Sequence, residues 1–338
     1  MQKPTAGATA PGDARVQEHP SAPLPVQRPD VRDSTRVQLG ESGHDVFPLA
    51  VGGAEFGWNI DIETSREILD TYVAHGGNIV HTADSYATGR SEHIIGQWAQ
   101  ARGVRDELVL TTRVGRHPDH PGLGPVNLVR SVEGSLTRLR TDRIDVLYLD
   151  GLNAAPRLED MLATVDWLIQ TGKVRALGAY GFRAEQLVEA RILASAGLPR
   201  FTVLDVAYNI LRRDEFDGDL KLVAGAQGVA VTPSHPLEHG FLAGRYRSRT
   251  MPVRSVRGAQ RAESLTKRGA RTLRALDAVA AEAGVPLAAV SVAWLLSQRL
   301  VVAPIVNVDA VQHIPELVDG VRLRLSRAQL SEIARASE

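Results

Sequence analysis

The sequence predicts a single (β/α)8 TIM barrel, and two patterns in it do so. Eight short apolar runs recur along the chain, and amphipathic helical stretches lie between them. The runs are rich in Val, Ile and Leu and mostly do not alternate with polar residues, as parallel strands buried on both faces require. Eight such strands, each followed by helical sequence, match the size and order of the barrel. A doubly wound open sheet is the rival. It needs a G-x-G-x-x-G after its first strand; none follows, and no P-loop is present.

The strands are expected at 48–56 (PLAVGGAEF), 78–84 (NIVHTAD), 108–115 (LVLTTRVG), 144–150 (IDVLYLD), 174–181 (VRALGAYG), 202–210 (TVLDVAYNI), 228–234 (GVAVTPS) and 301–308 (VVAPIVNV). After the first, TSREILDTYVAHGG sets Ile68, Leu69, Tyr72 and Val73 on one helical face and ends in glycine. After the second, SEHIIGQWAQARG opens with Ser-Glu and closes with glycine. LEDMLATVDWLIQTGK, RAEQLVEARILASAG, GARTLRALDAVAAEAG and LAAVSVAWLLSQR repeat the pattern further on. Residues 1–33 are rich in Pro, Ala and Gln without periodicity, so a disordered tail is expected there and one barrel domain over 34–338.

Composition narrows the function. The 39 basic and 39 acidic residues give zero formal charge, which favours neither nucleic acid nor an acidic membrane surface. No apolar run is long enough to span a bilayer, and the N-terminus has no secretory apolar core. The absence of cysteine removes disulfides, thiolate metal sites and cysteine nucleophiles. A cytoplasmic enzyme acting on a small molecule is the expectation. Lysine occurs only at Lys3, Lys173, Lys221 and Lys267, so a Lys-to-Arg exchange here carries little meaning by itself.

In this fold the active site lies at the C-terminal ends of the strands. Those ends carry Glu55 and Trp58; His81, Asp84 and Tyr86; Arg113; Asp150; Tyr180; Asp205 and Tyr208; Ser234 and His235; and Asn307. Titratable groups at six strand ends predict a functional pocket.

The segments GGNIVHTADSYATGRSEHIIGQW, LTRLRTDRIDVLYLDGL, LIQTGKVRALGAYGF, YNILRR and HPLEHGFLAGRY, taken in order, resemble the aldo-keto reductase superfamily, and the similarity runs from about Thr35 to the C-terminus. The resemblance implies carbonyl reduction by NADPH with a tetrad of Asp, Tyr, Lys and His. The Tyr protonates the carbonyl oxygen, the Lys–Asp pair lowers its pKa, and the His orients the substrate. Matched by position, the Tyr is Tyr86, but the Asp is His81, the Lys is Arg113 and the His is Asp150. The cofactor positions depart too. The Ser-Asn that holds the nicotinamide carboxamide is Tyr180-Gly181, the next carboxamide contact is Asp205, and the stacking aromatic is Ser234 followed by His235. No Lys or Arg lies between Asn307 and His313, where the family places cations for the 2′-phosphate. A stack is worth about 1 kcal/mol and a charged hydrogen bond about 1.5–3. Losing several weakens binding roughly thousands-fold.

Decay of a dead site leaves Ala, Gly or Leu, whereas here Asp and His have exchanged strands with the charge count preserved. The leading expectation is therefore a site rebuilt for cofactor-independent acid–base chemistry: dehydration, elimination, isomerisation, epimerisation or cyclisation of a carbonyl- or hydroxyl-bearing metabolite, such as a sugar or natural-product intermediate. Catalysis would fall to Tyr86, His81, Arg113 and Asp150, with Asp150 partnering Arg113, His81 (ordinary pKa near 6.5) as base and Tyr86 as acid. Trp58, Tyr180, Asp205 and His235 would contact substrate. The alternative is an NADPH-dependent aldehyde or ketone reductase whose phosphates are held by the Arg-rich segment Gly244–Arg261. Those arginines would equally suit a phosphorylated or nucleotide-linked substrate. The third reading is a non-catalytic binding or regulatory protein. No metal is expected: in HPLEH, Pro236 breaks the helix that such a motif needs, and HPDH is a proline-flanked loop.

Overall fold

The structure is a computed structural model and describes residues 35–153, 156–245, 247 and 264–338. The expected tail at 1–33 lies outside the described residues.

A two-stranded hairpin, β1 (Val37–Gln38) and β2 (Asp45–Val46), comes first. Eight parallel strands follow: β3 (Ala50–Gly52), β4 (Ile79–Ala83), β5 (Val109–Val114), β6 (Ile144–Asp150), β7 (Val174–Tyr180), β8 (Phe201–Asp205), β9 (Ala230–Val231) and β10 (Ile305–Asn307). Each falls inside or within one residue of an apolar run read from the sequence. Their order is β10-β3-β4-β5-β6-β7-β8-β9. The ends meet: Val302 N donates to Val231 O at 2.9 Å and Ile305 N to Pro233 O at 2.8 Å, which closes the (β/α)8 barrel. The hairpin, which the sequence reading did not anticipate, buries Leu39 and Val46 against Ala50, Ile79 and Val109 at the strand starts. That plugs the N-terminal end and leaves the C-terminal mouth as the open one.

The helices wrap the outside. α1 (Ile62–Ala74) starts at Asp61, whose carboxylate accepts from Thr64 N at 2.8 Å. Its Ile68, Leu69 and Tyr72 are buried as the spacing predicts, each contributing about 1.5–3 kcal/mol by burial. α2 (Arg90–Arg102) ends at Gly103 in the left-handed region, φ 68°. It crosses α3 (Pro125–Leu139) so closely that a Cβ on Gly96 would lie 2.5 Å from the Leu139 carbonyl carbon. α4 (Leu158–Gln170), α5 (Ala184–Ser195), α6 (Asp219–Ala226), α7 (Lys267–Ala283), α8 (Leu287–Leu296), α9 (His313–Arg322) and α10 (Arg327–Ala336) complete the described helices. Among the described residues no single helix is long and apolar enough to cross a membrane.

Candidate active site

Alternation along the strands aims a set of polar side chains into the mouth. Register pairs His81 with Thr111, Arg113 with Tyr148, and Asp150 with Tyr180, which in turn pairs with Asp205. Arg113 stands at the centre. Its guanidinium carbon lies 4.0 Å from the Tyr180 ring centroid and 5.5 Å from that of Tyr86. Its Nε is 3.6 Å from Asp150 Oδ2. Asp150 thus takes the partner role expected of it, but it is shared. Arg116, which the sequence reading did not single out, holds it more closely: Nε lies 2.6 Å from Oδ2 and a terminal nitrogen donates to Oδ1 at 3.1 Å. Burial works against the charge on Arg113, yet Tyr86, Tyr180, Asp205 and Asp150 outweigh it and push its pKa up, so it remains a cation.

His81 is buried at the base of this cluster. Its Nδ1 lies 2.9 Å from Thr111 Oγ1, and its ring meets Tyr148 and Tyr86 edge-on at 5.4 and 6.4 Å. Burial, helped by the Arg113 charge, pushes its pKa down to about 3. The imidazole is therefore neutral and a feeble base at pH 7. This departs from the ordinary pKa that the sequence-based expectation gave His81, on which its role as base rested.

Tyr86 opens a one-turn segment, Tyr86–Gly89, between β4 and α2. Ala87, Thr88 and Gly89 are all left-handed, at φ 48°, 54° and 83°. For the two non-glycines this costs about 1–2 kcal/mol each. The turn is pinned behind: Ser91 Oγ donates to Gly53 O at 2.8 Å and lies 2.9 Å from Thr82 Oγ1. Glu92, fully buried, binds Arg138 Nε at 2.7 Å and accepts from Thr112 Oγ1 at 2.7 Å.

Asp205 is the unusual group. Neither of its buried oxygens accepts a well-formed hydrogen bond, and the buried Ser234 hydroxyl donates none. Burial raises the Asp205 pKa from 3.8 to about 6, with Arg113 and the nearby Ser234 acting the other way. A raised folded-state value means the carboxyl favours folding below its unfolded pKa of 3.8, and that contribution is lost as pH rises through about 6. About two units corresponds to about 3 kcal/mol. Asp205→Asn is thus expected to gain stability over wild type as pH rises. Melting both proteins at about pH 4 and pH 8 checks this; a difference that stays constant between the two would contradict it.

The other expected substrate contacts differ in their settings. Trp58 stands 65% exposed on the loop after β3. Tyr208, another strand-end residue, is core: it packs on Phe216 and Trp294 and donates to Asp217 at 3.2 Å. His235 leads out of the cluster. Burial and the His239 charge push its pKa down to about 4. With His239 it lines a groove between the ends of β9 and β10, together with Arg245, Asn307, Asp309, His313 and Glu316. Of the Arg-rich segment, only Gly244, Arg245 and Arg247 are described. Arg245 donates to Asp309 at 3.0 Å, and Arg247 holds Asp277 at 2.7 and 2.8 Å. The remainder of that segment lies outside the described residues. In HPLEH the two rings approach to 4.8 Å, but His235, Glu238 and His239 are left-handed and no α-helix aligns them. In HPDH, His117 and His120 stack at 6.1 Å. Among the described residues no group of three metal-ligating side chains converges.

A family model described as "Aldo/keto reductase family" matches residues 48–338. An aldo-keto reductase, ausK, of Emericella nidulans is 30% identical over 87% of this chain and 79% of its own. A probable voltage-gated potassium channel subunit beta of Oryza sativa is 29% identical over 77% and 82%. Norsolorinic acid reductase B of Aspergillus parasiticus is 28% identical over 87% and 81%.

Proposed function

The chain belongs to the aldo/keto reductase family, and from that premise we propose that it reduces the carbonyl of a small molecule with a nicotinamide dinucleotide. The observation that carries the reading is the Tyr86–Arg113–Asp150 arrangement: a phenol ring against a buried guanidinium that a buried carboxylate holds. Tyr86 would serve as the family's acid, Arg113 in place of its lysine, and Asp150, from β6 instead of β4, in place of its carboxylate. The relatives named as reductases fit the same chemistry.

The residues suit the dinucleotide in two places. Asp205 and Ser234 hold buried polar atoms at the mouth that no well-formed hydrogen bond satisfies. A buried carboxylate of that kind is stabilised by an N–H donor, and a carboxamide presents two. The groove beside β9 and β10 leads outwards from there. When bound, the dinucleotide supplies hydride to the carbonyl carbon.

The chain's own groups would do the rest. The Tyr86 hydroxyl donates its proton to the carbonyl oxygen. Arg113 faces the negative charge that develops there, in a site with little water to screen it. Asp150 and Arg116 fix the Arg113 side chain, and the Tyr180 face stacks on it. His81, neutral beside Tyr86, does not compete for the proton. Solvent at the mouth then reprotonates Tyr86.

Cofactor-free acid–base catalysis, the leading sequence-based expectation, is less well supported, because it needs a base near neutral pH and burial removes His81 from that role. The test is oxidation of added reduced dinucleotide by the purified protein, dependent on a supplied aldehyde or ketone. Turnover of a hydroxycarbonyl compound with no dinucleotide present would restore the acid–base reading.

A further inference from the structure

The groove beside β9 and β10 contains its own anion. Among its described lining residues Arg245 is the one Arg or Lys, and it donates to Asp309 Oδ1 at 3.0 Å. His313, the first residue of α9, approaches the same oxygen at 3.0 Å. The His313 ring, and behind it Arg245, holds the Asp309 carboxyl well below its usual range against the effect of burial, so it is ionised at any working pH. Glu316, one turn into α9, adds a second carboxylate to the wall. Among the described residues the groove therefore offers no uncommitted guanidinium or ammonium, and its helix start already has a carboxylate beside it.

This bears on which dinucleotide the groove accepts. NADPH differs from NADH by one phosphate on a ribose 2′-oxygen, carrying up to roughly two negative charges. Sites that take the phosphate surround it with Arg or Lys, whereas sites that take the bare ribose put a carboxylate where the 2′-hydroxyl can donate to it. Asp309 meets the second description. Both of its contacts fall on Oδ1, so Oδ2 can accept from a hydroxyl. A phosphate would meet Asp309 head-on, or would have to draw Arg245 away from it.

We propose that this groove selects NADH over NADPH, with Asp309 as the specificity-determining residue. The inference rests on the nicotinamide reading of the site. Calorimetric titration of the intact protein with NADH and with NADPH, without substrate, tests it. NADH is expected to bind roughly tenfold tighter or better, since like charges in a half-buried groove repel by more than thermal energy. In Asp309→Asn the shape stays and the charge goes. NADPH should then tighten several-fold while NADH changes little or weakens, because Arg245 is released to the phosphate. Asp309 is half exposed, so the variant is expected to fold; a melting curve confirms that. Equal or tighter binding of NADPH by wild type, or an equal change for both ligands in the variant, overturns the preference and leaves the reductase reading standing. Binding of neither dinucleotide overturns the reductase reading, and the preference with it.

Discussion

Tyr86→Phe is expected to lower kcat/KM for carbonyl reduction by roughly a hundred- to ten-thousand-fold, the range for removing a positioned general acid. The phenyl ring keeps its place beside Arg113, at 5.5 Å from the guanidinium carbon, and its edge-on contact with His81. Dinucleotide affinity and thermal stability should therefore be unchanged. Steady-state kinetics with a dinucleotide titration on the same preparation separates the two quantities. A variant that keeps most of its kcat/KM would assign the proton to another group, and Tyr180, across the same guanidinium, is the first to examine.

The second large effect is at Arg113. Arg113→Leu removes the buried cation while Asp150 keeps Arg116 at 2.6 Å. Loss of a positioned charge from a dry site lowers kcat by about a hundred- to a thousand-fold. It also removes the charge that eases ionisation of Asp205, so the Asp205 pKa should rise above its present value of about 6. Arg113→Lys, which restores the charge without the planar stack on Tyr180, should recover part of the activity. The readout is kcat against pH for the three proteins. Equal activity in the Lys and Leu variants would show that charge is not what Arg113 contributes.

The fold was legible because barrel strands advertise themselves. Runs such as IDVLYLD and LVLTTRVG are rich in Val and Leu, and the structure buries every residue of β5 and β6. α1 was equally plain, since Ile68, Leu69 and Tyr72 share one face below an Asp61 cap. α3 was not, because its stripe of Leu128, Val132 and Leu136 is diluted by the buried Ser131 and Ser135. α6 buries only Ala224, too little for a periodic signal. The β1–β2 hairpin depends on Leu39 and Val46 fitting the barrel floor, a long-range fact that no local pattern carries.

The site was legible in its residue types and less so in their states. That Asp150 would partner Arg113 could be argued from the exchange of Asp and His between strands. That Arg116 shares Asp150 could not, although the second arginine of TTRVGR was the available signal. The pKa of His81 depends on burial and on the Arg113 charge, which the sequence does not state, so an ordinary value was assumed for it. Asp205 looked like a lost carboxamide contact; its unpartnered oxygens, visible only in three dimensions, suit a hydrogen-bond donor from a ligand.

In the proposed reaction Tyr86 and Arg113 serve hydride transfer to a carbonyl. The most direct measurement follows a reduced dinucleotide deuterated at the transferring carbon through one turnover, with the first aldehyde or ketone that the protein consumes. The expected result is deuterium on the carbinol carbon of the product, one equivalent of oxidised dinucleotide, and no product from Tyr86→Phe on the same timescale. A product formed at the same rate without dinucleotide, carrying solvent hydrogen and no deuterium label, would contradict it.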